Sequence, residues 1–133
     1  MTATWDVVRR PDDGEHVGYL APAPGDRDLV VPMTLVGTPA GGPLPVDRAR
    51  VLLAGHGLAA LAGRWWCRLP GTLPPGLTSA AAPADDWPWR ATVLVEVSPR
   101  EVRVRPELPE PGERAAVAVL PVPAGDLLRS APP

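Results

Sequence analysis

Five residue types are missing from this 133-residue chain: phenylalanine, isoleucine, lysine, asparagine and glutamine. That set is what a very GC-rich genome disfavours, so a high-GC bacterium is the expected source. With no lysine, one tyrosine, one cysteine and two histidines, the stock of catalytic side chains is thin. A single cysteine, Cys67, excludes an internal disulfide, and no Cys/His cluster has the spacing of a zinc site. No apolar run approaches the roughly 18 residues of a membrane-spanning helix, so no membrane partner is expected. The start, Met1 to Asp6, leads into a charged alternating segment rather than a basic flank and apolar stretch, which makes the cytoplasm the expected location. Net charge is also lacking: 13 arginines against 15 acidic residues leave −2. This disfavours global attraction to nucleic acid and leaves room for a local patch.

What is abundant is proline and glycine, 20 and 13 residues, together about a quarter of the chain. That proportion borders on the disordered range. Their placement argues otherwise. In the segments assigned below to strands and helices they number five: Gly18, Pro32, Gly63, Pro88 and Pro121. The rest punctuate turns, so a folded chain is expected. Its core must come from leucine, valine and tryptophan, because 19 alanines bury little area.

Residues 5–10 and 15–21 read as a hairpin closed by Pro11-Asp12-Asp13-Gly14, in which Gly14 takes the positive φ of a three-residue loop. That register pairs Val7 with Tyr19 and puts Trp5, Val7, Val17 and Tyr19 on one core face. Residues 28–36 read as a third strand, with Pro32 demanding an edge or a bulge. From Val46 the period lengthens: Val46, Ala49, Leu52, Leu53, Leu58, Leu61 and Trp65 recur at three- and four-residue spacing. A helix over 46–54 and a second helical stretch near 58–63 follow, interrupted at Gly55-His56-Gly57. Arg64 to Leu69 alternate again, and 70–86 reads as a long Pro/Ala-rich loop. Trp87 to Arg105 form a second hairpin turning at Ser98-Pro99-Arg100-Glu101, with Val97 opposite Val102, Glu96 opposite Arg103 and Val95 opposite Val104. Ala115 to Leu120 read as a strand covered on both sides, and 125–133 as a C-terminal tail.

The expected fold class is α+β: a mostly antiparallel sheet of six or seven strands with one helical insertion near 46–62. The sheet either curls into a partly open barrel or packs with the helix as a two-layer sandwich. Residues 1–124 are expected to form a single globular domain.

Three constellations could carry function. Cys67 with His16 or His56 is the one nucleophile–base pairing available, but nothing in the spacing clusters them. Cys67 shares the parity of Trp65 and Leu69 and reads as a buried thiol. Second, Asp85 and Asp86 precede Trp87 and Trp89, a combination that lines sugar and polar-ligand sites, or else ends a loop beside two core tryptophans. Third, alternation places Arg64, Trp66 and Arg68 on one face of their strand, Arg90 on the next, and Arg103 and Arg105 on the one after. If the strands are neighbours, five arginines surround one tryptophan. Such a face suits an acidic protein surface, or nucleic acid or another anionic ligand, and its plainer reading is a solvated sheet face. The acidic segment Pro106–Glu113 hints that the protein partner is a second copy of the chain. No cofactor motif is present: Gly37 to Gly42 lacks the lysine of a phosphate loop, so no cofactor or metal is expected. The leading expectation is therefore a non-catalytic protein-interaction module. Anion binding by the arginine face and a ligand site near 85–90 are the alternatives.

Overall fold

A computed structural model of the chain describes residues 5–133, apart from the side chains of Gly57 and Leu58. The expectations for residues 1–4 and for the Leu58 side chain lie outside the described residues. The protein is α+β, with one α-helix and ten strands, among the described residues, in two mostly antiparallel sheets and no closed barrel. It divides into two compact units, one ending at Leu61 and the other starting at Ala62.

The first unit holds a four-stranded sheet in the order β1 (Asp6–Arg9), β2 (His16–Ala23), β3 (Asp26–Met33) and β4 (Leu44–Pro45). The first hairpin turns as its residues require, with Gly14 at φ 70° donating to the Arg10 carbonyl at 2.8 Å. Val7 faces Tyr19 as expected, but a bulge then sets Val8 opposite Gly18 and Arg9 opposite His16. The extra residue, Val17, is thereby carried to the other face of the sheet. There it packs with Val8, Leu20, Ala49 and Leu53, while Trp5 remains with Tyr19, Ala21 and Met33. Val7, expected in the core, lies on the edge strand and is 48% exposed.

Helix α1 runs from Val46 to His56 and buries Ala49 and Leu53, one turn apart, against this sheet. Pro45 precedes its first turn and Asp47 sits at its positive end, and a 3₁₀ turn over Gly57–Leu61 follows where Gly55-His56-Gly57 was expected to interrupt. The third strand ends at Met33 rather than residue 36. Thr34 leaves the ladder for a tight turn in which its hydroxyl meets that of Thr38 at 2.6 Å, both buried. Pro32 lies past the end of β4, which pairs with Leu29 and Val30.

The second unit is a six-stranded sheet in the order β10 (Leu128–Arg129), β5 (Trp65–Arg68), β7 (Trp89–Val97), β8 (Glu101–Pro106), β9 (Ala116–Pro121) and β6 (Gly76–Ser79). Its buried side carries Trp65, Cys67, Thr92, Val102, Val104, Ala116, Ala118, Leu120 and Leu128. Residues 70–86, read from sequence as loop, supply β6, which pairs in parallel with β9, and bury Leu73 and Ala80 completely. The expected tail contributes β10, whose Leu128 faces Cys67. In the β7–β8 hairpin Val97 meets Val102 and Glu96 meets Arg103, but a bulge at Val95 brings Leu94, not Val95, opposite Val104. Val95 is left 46% exposed.

The tightest approach in the first unit is at Gly18. A Cβ there would stand 2.3 Å from the Met33 carbonyl oxygen and 2.9 Å from Leu53 Cδ2. One contact is backbone, so relief requires separating β2 from β3. Gly18→Ala is expected to cost about 3 kcal/mol, the upper end of overpacking, read as a lowered urea midpoint. An unchanged midpoint would show that the sheet yields at this point.

Candidate functional site: the open face of the six-stranded sheet

The pairing of β5 with β7 decides which residues share a face. Trp66 lies opposite Ala91 and Arg68 opposite Trp89, while Cys67 lies opposite Arg90 and Trp65 opposite Thr92. Trp66, Arg68, Trp89 and Ala91 are therefore together on the outward side, and Arg90 is on the inward side with Thr92. Val93 faces Arg105, and Arg103 faces Val119, extending the outward side across β8 and β9. Of the six residues expected on one face, the structure brings together Trp66, Arg68, Arg103 and Arg105, and turns Arg90 away. Arg64 stands just before β5.

Arg90 has its own task. Its guanidinium makes a two-pronged contact with Glu113, at 2.6 and 2.8 Å, and reaches the Pro70 carbonyl at 3.2 Å. Glu113 is 1% exposed and also accepts from the backbone N–H of Leu73 at 2.6 Å and of Glu110 at 3.0 Å. The hydrogen bond from Arg90 dominates, and with those two N–H donors it outweighs burial and holds the carboxyl down at about 2.

Other arginines are also engaged. Arg64 grips Glu107 through two nitrogens, one at 2.9 Å. The acidic segment that suggested self-association thus has Glu107 and Glu113 bound by arginines of its own unit. Arg68 donates to the carbonyls of Ala84, Asp85 and Trp87 at 2.9–3.1 Å, clamping the turn before β7. Arg103 pairs with Glu101 at 2.8 Å and approaches Glu96 at 3.9 Å. Arg105 is exposed and has no ion pair among the described residues. It lines a cleft of about 290 Å³ with Val93, Pro106, Pro109, Arg114 and the two arginine-bound acids Glu107 and Glu113.

Sequence reasoning missed Arg129. Opposite Trp66 in β10, it places its guanidinium 4.6 Å from the centre of the Trp89 ring. Its signal was Leu127-Leu128-Arg129 at the end of a proline-broken segment, too short for periodicity to register. Trp66, Trp87 and Trp89 are all half-buried.

At the alternative site, Asp85 and Asp86 are exposed, and their carboxylates make no hydrogen bond or ion pair among the described residues. Their turn is set by Arg68 and by the Trp87 N–H on the Ala84 carbonyl at 3.1 Å. Among the described residues no three His, Cys, Asp or Glu side chains gather as metal ligands. Cys67 is 1% exposed, and burial pushes its thiol up to about 12, the opposite of what a nucleophile needs. His16 rests edge-on against Tyr19 with Nε2 2.9 Å from the Gly18 carbonyl, and burial lowers its pKa. No family model, curated protein or solved structure matches the chain.

Glu113 is depressed when folded, so its stabilisation is complete above the ordinary carboxyl value near 4.5 and disappears as pH falls toward about 2. Wild-type protein should lose stability to acid over that window. Glu113→Gln, less stable at neutral pH, should show a flatter profile there. Glu113→Ala should cost about 3–5 kcal/mol at pH 7, since Arg90 then loses its buried partner. Parallel acid profiles for wild type and Glu113→Gln in urea titrations would remove this carboxylate from the account. Cys67 should also resist iodoacetamide in the native state and react on unfolding. Rapid native labelling would contradict its burial.

Proposed function

We propose that the chain is a protein-interaction module that binds an acidic protein segment on the outward side of its six-stranded sheet, working in the cytoplasm as a non-catalytic partner. The observation carrying this reading is the grouping of half-exposed Trp66 and Trp89 with Arg129 and the uncommitted Arg105 on one face. Tryptophan and arginine are the side chains that concentrate binding energy at protein interfaces, by combining apolar area with directional hydrogen bonds. Committed arginines add rigidity more than charge, because Glu101 and Glu107 already neutralise Arg103 and Arg64. A partner carboxylate would therefore be drawn to Arg105, with its apolar neighbours laid over Trp66. A small area on which Arg68, Arg105 and Arg129 have no ion pair among the described residues suits a carboxylate-bearing peptide better than a phosphate backbone, which binds through many cations at once.

A fluorescein-labelled acidic peptide containing tyrosine and a single-stranded oligonucleotide of equal charge separate these ligands, with fluorescence anisotropy at low salt as the readout. The peptide is expected to bind, Arg105→Glu to abolish binding, and Trp66→Ala to weaken it by about 2 kcal/mol. Tighter binding of the oligonucleotide would move the assignment to nucleic acid. Binding of neither would end the proposal for this face.

A further inference from the structure

The first unit carries a second recognition feature, between helix α1 and the edge strand β1. A cleft of about 180 Å³ is lined by Val8, Pro11, Val51 and Ala54, with Arg9 and Arg50 at its margins. That is room for about six waters or one aliphatic side chain. Its floor is set by the core, since Val8 is 1% exposed. Val51 is 73% exposed on a helix whose buried residues are Ala49 and Leu53. Both arginines are exposed and neither has an ion pair among the described residues, Arg9 donating to the Gly14 carbonyl at 3.1 Å.

The backbone beside the cleft belongs to a sheet edge. β1 is an edge of the four-stranded sheet. Arg10 donates its N–H to Glu15 at 2.8 Å, and antiparallel alternation then turns the N–H and C=O groups of Val7 and Arg9 to the open side. A sheet edge of this kind is a template for another strand. β1 is four residues long, has a bulge at Val8/Arg9, and carries no proline and no buried charge, the Asp6 and Arg9 side chains both lying in solvent.

We infer that the β1 edge and the α1 cleft together form a docking site for an extended acidic segment of a partner protein. The segment adds to the sheet as a strand, sets one aliphatic side chain in the cleft, and brings carboxylates to Arg9 and Arg50. This is the strand-addition mode, in which main-chain hydrogen bonds provide the anchoring and a side-chain pocket provides selection. Two guanidiniums with no ion pair among the described residues, beside an apolar hole, specify the chemistry of the occupant: aliphatic residues alternating with acidic ones. The site is separate from the sheet face proposed above and is tested separately from it.

The probe is a fluorescein-labelled hexapeptide alternating valine with glutamate, titrated against the full chain by fluorescence anisotropy at low ionic strength. Binding is expected, with affinity falling about tenfold in Arg50→Glu, the worth of one hydrogen bond to a charged group. Val51→Glu should weaken it comparably, by filling the cleft with a like charge at a position too exposed to disturb the fold. Arg105→Glu, in the other unit, should change nothing. A peptide of the same sequence with alternate backbone nitrogens methylated should fail to bind, because strand pairing is removed without touching the protein. The inference is overturned by no binding at millimolar protein, by equal binding of a valine–lysine peptide, or by unchanged affinity in Arg50→Glu. Equal binding of the methylated peptide would overturn strand addition itself. Concentration-dependent dimerisation abolished by Arg50→Glu, seen by sedimentation, would assign the edge to a second copy and overturn the partner-protein assignment.

Discussion

The second unit depends on a buried carboxylate. Glu113 ties three separate pieces of chain to one point: Arg90 on β7, the backbone of Leu73 in the long connection, and the backbone of Glu110 at the 3₁₀ turn over Pro111–Glu113. Without it the connection from 70 to 86 would hold position through Leu73, Ala80, the four-residue β6 and the Arg68 contacts to Ala84 and Asp85. A charge buried to this extent persists because each oxygen is matched by donors, two from a guanidinium and two from the backbone. Its inward pull also explains why Arg90 is absent from the outward face.

Much of the fold could be read from the residues. Gly14 and the Ser98-Pro99 turn set both hairpins, and the change of period at Val46 marked the helix. Failures trace to parity. A bulge at Val8/Arg9 and another at Val95 each insert one residue into a two-residue period, and every inference about facing beyond that point reverses. Val17 and Val95 changed sides for this reason. Alternation reports a strand's two faces, and it carries no signal for an insertion that the hydrogen-bond ladder absorbs. β6 was illegible for a different cause: Gly76-Leu77-Thr78-Ser79 has no apolar alternation, and it becomes a strand by lying beside β9.

The candidate site was legible in its ingredients and not in its assembly. Trp66, Arg68, Arg103 and Arg105 share the outward side because of the offset between β5 and β7, which no local pattern encodes. The bulge at Val95 exchanged Arg90 for Trp89. Counting arginines overstated the free charge, because Glu101 and Glu107 were near in space to cations from which sequence distance separated Glu107 by more than forty residues. What remains after these pairings is a face with few arginines free of ion pairs among the described residues, beside half-buried Trp66 and Trp89.

The parallel pairing of β6 with β9 sets an order of events during folding. The β7–β8 hairpin closes across a handful of residues, whereas Gly76 meets Ala116 and Leu73 meets Glu113 only after forty residues of chain have been looped. Loop-closure entropy makes such contacts late, since they yield nothing until the intervening hairpin has shortened the effective path. The antiparallel centre of this sheet is therefore the natural nucleus, and β6 with its connection arrives as the closing piece. Until it does, the outer edge of β9, an apolar run from Ala116 to Leu120, stands open, and the speed of that last step governs how long the nascent unit offers an aggregation-prone edge.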